Sequence, residues 1–375
     1  MASIDPARRR TLHSWSPGSE RWMLQREGSD HSPLLDLASN DYLGLSRHPA
    51  LIEAAERALR NDGAGAGGSR LVTGSRPRHG RLERSLAEWL GRASVLLFPS
   101  GFQANLAAVC ALADRHTTVV ADRLIHHSLL VGVQASGARL QRFAHNDLTD
   151  LQRRLEGLAT AAKPPVVISE SLFSMEGTSP DVGALVALCQ RFGARLLLDE
   201  AHALGVLGPE GRGLAQGREG VDLISGTFGK AFGSGGAFLA CDARLGDQLL
   251  QTSGAFRYTT ALAPPLVGAA QAALELIQQH PQWGTQLLQR ASEWRTALAA
   301  AGWNRPGGDG PVLPLLIGAD ADALKAQATL ESEGMLAIAI RPPTVPEGTA
   351  RLRLVLRRDL PDDTVKRLLQ ALPQP

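Results

Sequence analysis

Apolar and polar positions follow two rhythms along this chain. Short apolar runs recur at residues 95–98, 117–121, 139–143, 165–169, 195–198, 223–225 and 237–240. Each is long enough for a buried strand and too short for a buried helix. Helical patterns separate most of them, as at 148–158 and 182–192, and helical spacing also links Leu82, Leu86, Trp89 and Leu90. A further helix is expected over 49–60, with Pro49 in the first turn, where a missing N–H costs nothing. Strands alternating with helices predict an α/β fold built on a mainly parallel sheet with crossover helices. Ligands of such sheets sit beyond the carboxyl ends of the strands. Pro264-Pro265 interrupts the pattern. Beyond it come helices at 266–279 and 285–301, strand-like segments at 312–317, 335–340 and 350–356, and helices near 321–333 and 362–372. The first 38 residues, with Arg8, Arg9 and Arg10 ahead of a Ser/Pro/Gly stretch, read as an arm. The expected organisation is an N-terminal arm (1–38), a large domain (39–268) and a small C-terminal α/β domain (269–375).

Composition narrows the functional classes. A chain of 375 residues, 44% hydrophobic and 20% charged, is an ordinary globular sequence. A net charge of +2 leaves no basic excess to neutralise phosphates, which argues against a nucleic-acid binder. Cys110, Cys189 and Cys241 are too widely spaced for a metal or redox motif, and an odd count suits a reducing cytoplasm. The first ten residues lack the apolar stretch of a secretory signal, and no apolar run reaches bilayer length. The expected location is the cytoplasm.

Of 39 basic residues only four are lysines, and one closes the run Asp222-Leu-Ile-Ser-Gly-Thr-Phe-Gly-Lys230. Lys163 precedes a proline in a loop, while Lys325 and Lys366 lie in surface-like helical patterns. Gly229 before Lys230, and Gly233 to Gly236 around Ser234 after it, clear space for a ligand, and Thr227 can offer its hydroxyl to a phosphate. Asp199 follows three leucines at a strand end, where a carboxylate needs a cationic partner: an arginine, or a protonated pyridine. A strand-end lysine and a strand-end acid are the pair that pyridoxal phosphate uses, one for the Schiff base and one for the ring nitrogen. His202 could donate to the cofactor's phenolic oxygen. The run from Ser100 through Gly101 and Phe102 to Asn105 opens a helix whose first N–H groups can hold phosphate. His126 either stacks on the ring or caps a helix, and Ser174 follows the strand at 165–169. Arg341, beside Pro342 and Pro343, suits a grip on a carboxylate, unless it is one more surface arginine.

These motifs resemble the α-oxoamine synthases, pyridoxal-phosphate enzymes of fold type I, the aspartate-aminotransferase fold. The resemblance runs from Leu37-Ala-Ser-Asn40-Asp41-Tyr42 to Ala350-Arg-Leu-Arg-Leu354. It is most specific at Gly63-Ala-Gly-Ala-Gly-Gly-Ser-Arg70, Phe256-Arg-Tyr-Thr-Thr-Ala-Leu262 and Ile340-Arg-Pro-Pro-Thr344-Val-Pro346. It implies that Lys230 carries the cofactor and removes the amino acid's Cα proton, with Asp199 on the ring nitrogen and His202 and Ser174 at the phenolic oxygen. His126 would stack on the ring. Gly101, Phe102 and Thr227 would surround the phosphate, with Thr259 reaching across from the second subunit of a homodimer. Asn40, Arg341, Thr344 and Arg8 would hold substrate. The implied reaction is decarboxylative condensation of L-alanine with a pimeloyl thioester, on coenzyme A or a carrier protein. Alternatives that stay open are glycine with acetyl-CoA or succinyl-CoA, an ordinary aminotransferase, and a non-catalytic partner subunit.

Overall fold

The computed structural model describes residues 5–28 and 32–373. The chain divides into two compact units. The smaller comprises Met1–Gly44, Ser174–Thr178 and Thr285–Pro375, and the larger Leu45–Phe173 and Ser179–Gly284. No helix among the described residues is long and apolar enough to cross a membrane.

The N-terminal residues form strands β1 (Trp15–Pro17), β2 (Met23–Arg26) and β3 (Leu34–Asp36), an antiparallel meander where the sequence had suggested only an arm. The larger unit opens with α1 (Pro49–Asp62) and α2 (Pro77–Leu90). Then come β4 (Ser94–Phe98), α3 (Gly101–Leu112), β5 (Thr118–Asp122), α4 (His127–Ser136), β6 (Arg139–Phe143), α5 (Leu148–Glu156), β7 (Val166–Glu170), α6 (Val182–Arg191) and β8 (Arg195–Asp199). It ends with β9 (Leu223–Thr227), β10 (Ala237–Cys241), α7 (Ala243–Thr252), α8 (Gly254–Arg257) and α9 (Pro264–Gln279). All seven expected apolar runs are strands, displaced by no more than two residues at either end. They make one sheet in the order β4-β10-β9-β8-β7-β5-β6, in which only β10 runs against the rest. Buried strands such as β7 and β10 bury every residue, so their apolar runs are continuous. A core of Phe98, Ala104, Ala108, Val109, Leu129, Ile168 and Leu197 packs α3 and α4 onto one face. Those helices start where β4 and β5 have just ended, so their first turns lie at the carboxyl edge.

The smaller unit continues with α10 (Trp283–Ala300), β11 (Val312–Gly318), α11 (Asp320–Ser332), β12 (Met335–Leu336), β13 (Ile338–Ile340), β14 (Ala350–Val355) and α12 (Thr364–Ala371). The strand expected over 335–340 is two strands. β12 pairs with β3, whereas β13 pairs with β14 in a separate three-stranded sheet, so the chain changes sheets at the buried Ala337. The division also departs from the expected boundary at 268, because α9 packs along α1 and α2 and belongs with them. Its apolar side, including Val267, Ala270, Ala273 and Leu274, is buried there.

Candidate active site

Lys230 sits in the loop between β9 and β10, which is tied down by its own backbone. Phe228 N donates to Gly236 O at 2.9 Å, Ser234 N to Phe228 O at 2.8 Å, and Gly233 N to Lys230 O at 2.9 Å. Gly233 has φ +58°, and the Leu45–Ser46 backbone approaches so closely that no Cβ fits. The glycines thus let the chain fold tightly enough to hold the lysine at the strand end.

Asp199 ends β8, the neighbouring strand, and is 6% exposed. Its Oδ1 accepts from Ala201 N at 2.9 Å and its Oδ2 from Asn105 Nδ2 at 2.8 Å. Among the described residues it has no arginine or lysine ion-pair partner. The other Nδ2 hydrogen of Asn105 goes to Ser128 Oγ at 2.9 Å, and Ser128 Oγ lies 2.7 Å from His126 Nδ1. Ser128 N also donates to that nitrogen, at 3.3 Å, so Nδ1 is the acceptor and Nε2 carries the proton. His126 therefore caps α4 while its tautomer is set by a buried line of groups leading to Asp199. Burial lowers the His126 pKa; the Asp199 charge opposes this, and the Lys230 and His127 charges reinforce it. The Asp199 and Lys230 charges also both reach the buried Glu170, the first raising its pKa and the second lowering it. Lysine and acid thus border one space. His202, buried on the turn after β8, belongs to the same strand end.

Across this edge, Ser100 caps α3 by accepting from Gln103 N at 3.3 Å. A Cβ placed on Gly101 would meet only Thr227 Oγ1, at 3.9 Å, which leaves a cradle between the first turn of α3 and the end of β9. Thr227 Oγ1 donates to Gly236 O at 3.0 Å and accepts from Gly229 N at 3.2 Å. The Phe102 side chain is 45% exposed, so only its backbone belongs to the cradle. Thr259, expected from a second subunit, lies beside the same helix in its own chain, accepting from Gln103 Nε2 at 3.1 Å.

The remaining expected residues lie in the smaller unit. Asn40 Oδ1 accepts from Arg353 Nη2 at 2.9 Å, and Ser174 O from Arg353 Nε at 2.7 Å. Arg353 is buried and has no carboxylate partner among the described residues. Arg341 donates from Nη1 to Ala7 O, and its Nε is buried without a partner. Thr344 is exposed, its N–H donating to Arg341 O at 3.1 Å beside the cis Pro342–Pro343 bond. Arg8, also expected to hold substrate, donates from its guanidinium to Asp320 at 2.9 Å and to both oxygens of Glu347 at 2.9 and 2.5 Å.

Asn105, Ser128, Glu170 and Arg353 were given no role from sequence. Asn105 and Ser128 stood inside motifs already singled out, but nothing in their spacing reveals a shared hydrogen-bond line.

A buried carboxylate bonded by two N–H donors, a lysine at the neighbouring strand end, and a helix start facing a hydroxyl across a cradle fit pyridoxal phosphate. The class is that of pyridoxal-phosphate enzymes of fold type I. Residues 32–372 match the aminotransferase class I and II family, and the chain belongs to it. A protein of Chromohalobacter salexigens named 8-amino-7-oxononanoate synthase is 42% identical over 94% of this chain and 92% of its own. A structure of SPT (serine palmitoyltransferase) with PLP superposes with TM-score 0.91 at 25% identity, covering 96% of this chain and 91% of that one. The 8-amino-7-oxononanoate synthase of Francisella tularensis superposes with TM-score 0.78 at 25% identity, over 90% and 96%.

Proposed function

We propose that the protein condenses L-alanine with a pimeloyl thioester, on coenzyme A or a carrier protein, releasing CO₂, the free thiol and 8-amino-7-oxononanoate, a step of biotin synthesis. The observation that carries this reading is Asp199 and Lys230 at neighbouring strand ends, both acting on His126, in a chain whose relatives carry that synthase's name. When bound, pyridoxal phosphate supplies an electron sink for the bond broken at Cα.

The protein's residues do the rest. Asp199, fixed by Asn105 and Ala201, holds a proton on the ring nitrogen. The α3 amides at Gly101 and Phe102, with the hydroxyl of Thr259 and that of Thr227 once turned from Gly236 O, take the phosphate, and His202 and Ser174 serve the phenolic oxygen. Lys230 would carry the cofactor, remove the Cα proton of alanine and later return one. The carbon so activated would attack the thioester carbonyl with departure of the thiol, and CO₂ would be lost from the β-keto acid. His126, its pKa lowered by burial and its proton on Nε2, is the hydrogen-bond donor we assign to the carbonyl oxygen as charge builds there. Asn40, Arg341 and Arg353 supply donors for the substrate carboxylates, with Thr344 beside Arg341. Product mass spectrometry tests the proposal: alanine plus pimeloyl thioester should give the expected mass, and turnover only with glycine and acetyl-CoA or succinyl-CoA would overturn it.

A homodimer is part of the same reading. Val72 is 77% and Tyr258 80% exposed, close in the chain to the Ser69–Thr260 bridge, and with Leu71 and Phe102 they offer apolar surface to a second copy. Sedimentation equilibrium should give twice the chain mass; a monomer would count against it.

A further inference from the structure

Glu170 is a buried acid that the mechanism above does not use. It is the last residue of β7 and stands in register with Asp199 on β8, with strands of a sheet about 4.8 Å apart. Side chains of paired residues in neighbouring parallel strands leave the same face of the sheet. Two carboxyl groups therefore stand side by side, each nine-tenths buried or more. Their hydrogen bonds differ. Asp199 receives an N–H on each oxygen. Glu170 receives one, from the backbone N–H of His126 to Oε1 at 2.5 Å, and has no ion-pair partner among the described residues. Its charged and titratable surroundings are Asp199, Lys230 after β9, Asp122 at the end of β5 with His145 bonded to it, and His126 and His127 at the head of α4.

Adjacent buried carboxyl groups do not both ionise, so one of the pair keeps a proton. Asp199 has the donors. Burial, followed by the Asp199 charge, pushes Glu170 well above the ordinary carboxyl range, while the His126 N–H and Lys230 pull it back less strongly.

We propose that Glu170 is a positioning residue that works as a neutral acid: it anchors the His126 backbone, and with it the imidazole, without placing a second negative charge beside Asp199. A carboxylate there would compete with Asp199 for the ring proton and raise the affinity of the lysine–cofactor bond for protons. A hydrophobic residue would leave the His126 N–H buried and unsatisfied. A protonated carboxyl avoids both costs. The inference rests on the cofactor reading, but its first test does not.

Infrared difference spectra between wild type and Glu170→Gln at neutral pH should contain the carbonyl band of a protonated carboxylic acid, lost in the variant, whether or not cofactor is bound. In the holoenzyme, Glu170→Gln supplies the same acceptor with no charge. It should keep kcat within about twofold and leave the spectrophotometric titration of the bound cofactor in place. Glu170→Ala should lower kcat tenfold or more with little change in the KM for alanine, and Gln at the position restores it. If the alanine variant does not fold, the infrared band and the Gln titration still decide. Absence of the acid band, a shift of the chromophore titration by a whole pH unit in Glu170→Gln, or failure of that variant to fold would each overturn the proposal. A wild type that never acquires a visible chromophore with pyridoxal phosphate would instead sink the cofactor reading, leaving the infrared result to stand alone.

Discussion

At the scale of single residues, Asp199 and its neighbour Glu200 show how one backbone step changes the chemistry of an acid. Asp199 faces the site, whereas Glu200 is fully buried and serves the loop after it. Its Oε1 accepts from Ser171 Oγ at 2.7 Å, Leu214 N at 2.6 Å and Ala215 N at 3.0 Å, and its Oε2 has no partner. Burial pushes the Glu200 pKa up to about 7, against the pull of those three donors and of Arg92. The folded chain therefore holds a proton that the unfolded chain has lost between its free value of 4.5 and about 7. The sign follows: this contribution to stability is complete below pH 4.5 and disappears as pH rises through 7. In Glu200→Gln the amide oxygen takes the same three donors and nothing titrates. Urea unfolding at both ends of this range should find the wild type losing about 3 kcal/mol relative to Glu200→Gln on going from acid to alkaline conditions. A pH-independent difference between the two proteins would refute the assignment.

At the scale of elements, the strands were legible because a strand buried on both faces shows as an unbroken apolar run, and the intervening helices have their own period. What the runs could not give is register. The segment expected at 165–169 is β7 at Val166–Glu170, and that single step puts a carboxyl group, not Ser169, at the strand end beside Asp199. The N-terminal meander was illegible for a related reason. Its strands are three or four residues long, and one of them pairs with β12 some three hundred positions away. Of the candidate site, the residues that carry distinctive chemistry stood out, and those that orient them did not, since Asn105 and Ser128 matter only through what they touch. Helix α3 gives the element-scale prediction. Gly101 is its first residue, and the glycine is there for space: its φ is not in the left-handed region, and Thr227 Oγ1 alone lies near the missing Cβ. Valine is a better helix former than glycine, so Gly101→Val should leave the thermal midpoint of the cofactor-free protein unchanged or slightly raised. Its branched side chain fills the cradle, and affinity for pyridoxal phosphate should fall tenfold or more, about 1.4 kcal/mol. Fluorescence titration of the cofactor-free variant measures this, and unaltered affinity would remove α3 from the phosphate site.

At the scale of the whole molecule, the groups proposed to hold the cofactor are unevenly distributed. Lys230, Asp199, His126, His202, Gly101, Phe102, Thr227 and Thr259 all belong to the larger unit, and Ser174 alone to the smaller. A ligand that binds only the folded chain stabilises it by mass action, by about 2.7 kcal/mol at a hundred times its dissociation constant. For a unit of this size that corresponds to a rise in melting temperature of roughly 5–10 °C. Stripping pyridoxal phosphate should therefore lower the melting midpoint by that order, and restoring it should recover the loss. Where the stabilisation appears is the sharper test. Local openings of backbone held by the ligand become rarer, so hydrogen exchange should slow at the start of α3, after β8 and through the Lys230 loop. The strands β11 and β14 form a sheet whose apolar positions Leu313, Leu315, Leu352 and Leu354 are already buried against their own neighbours, and their exchange should not change. Equal slowing there, with none at the head of α3, would mean that the ligand is held by a different set of residues, however well Lys230 and Asp199 are arranged.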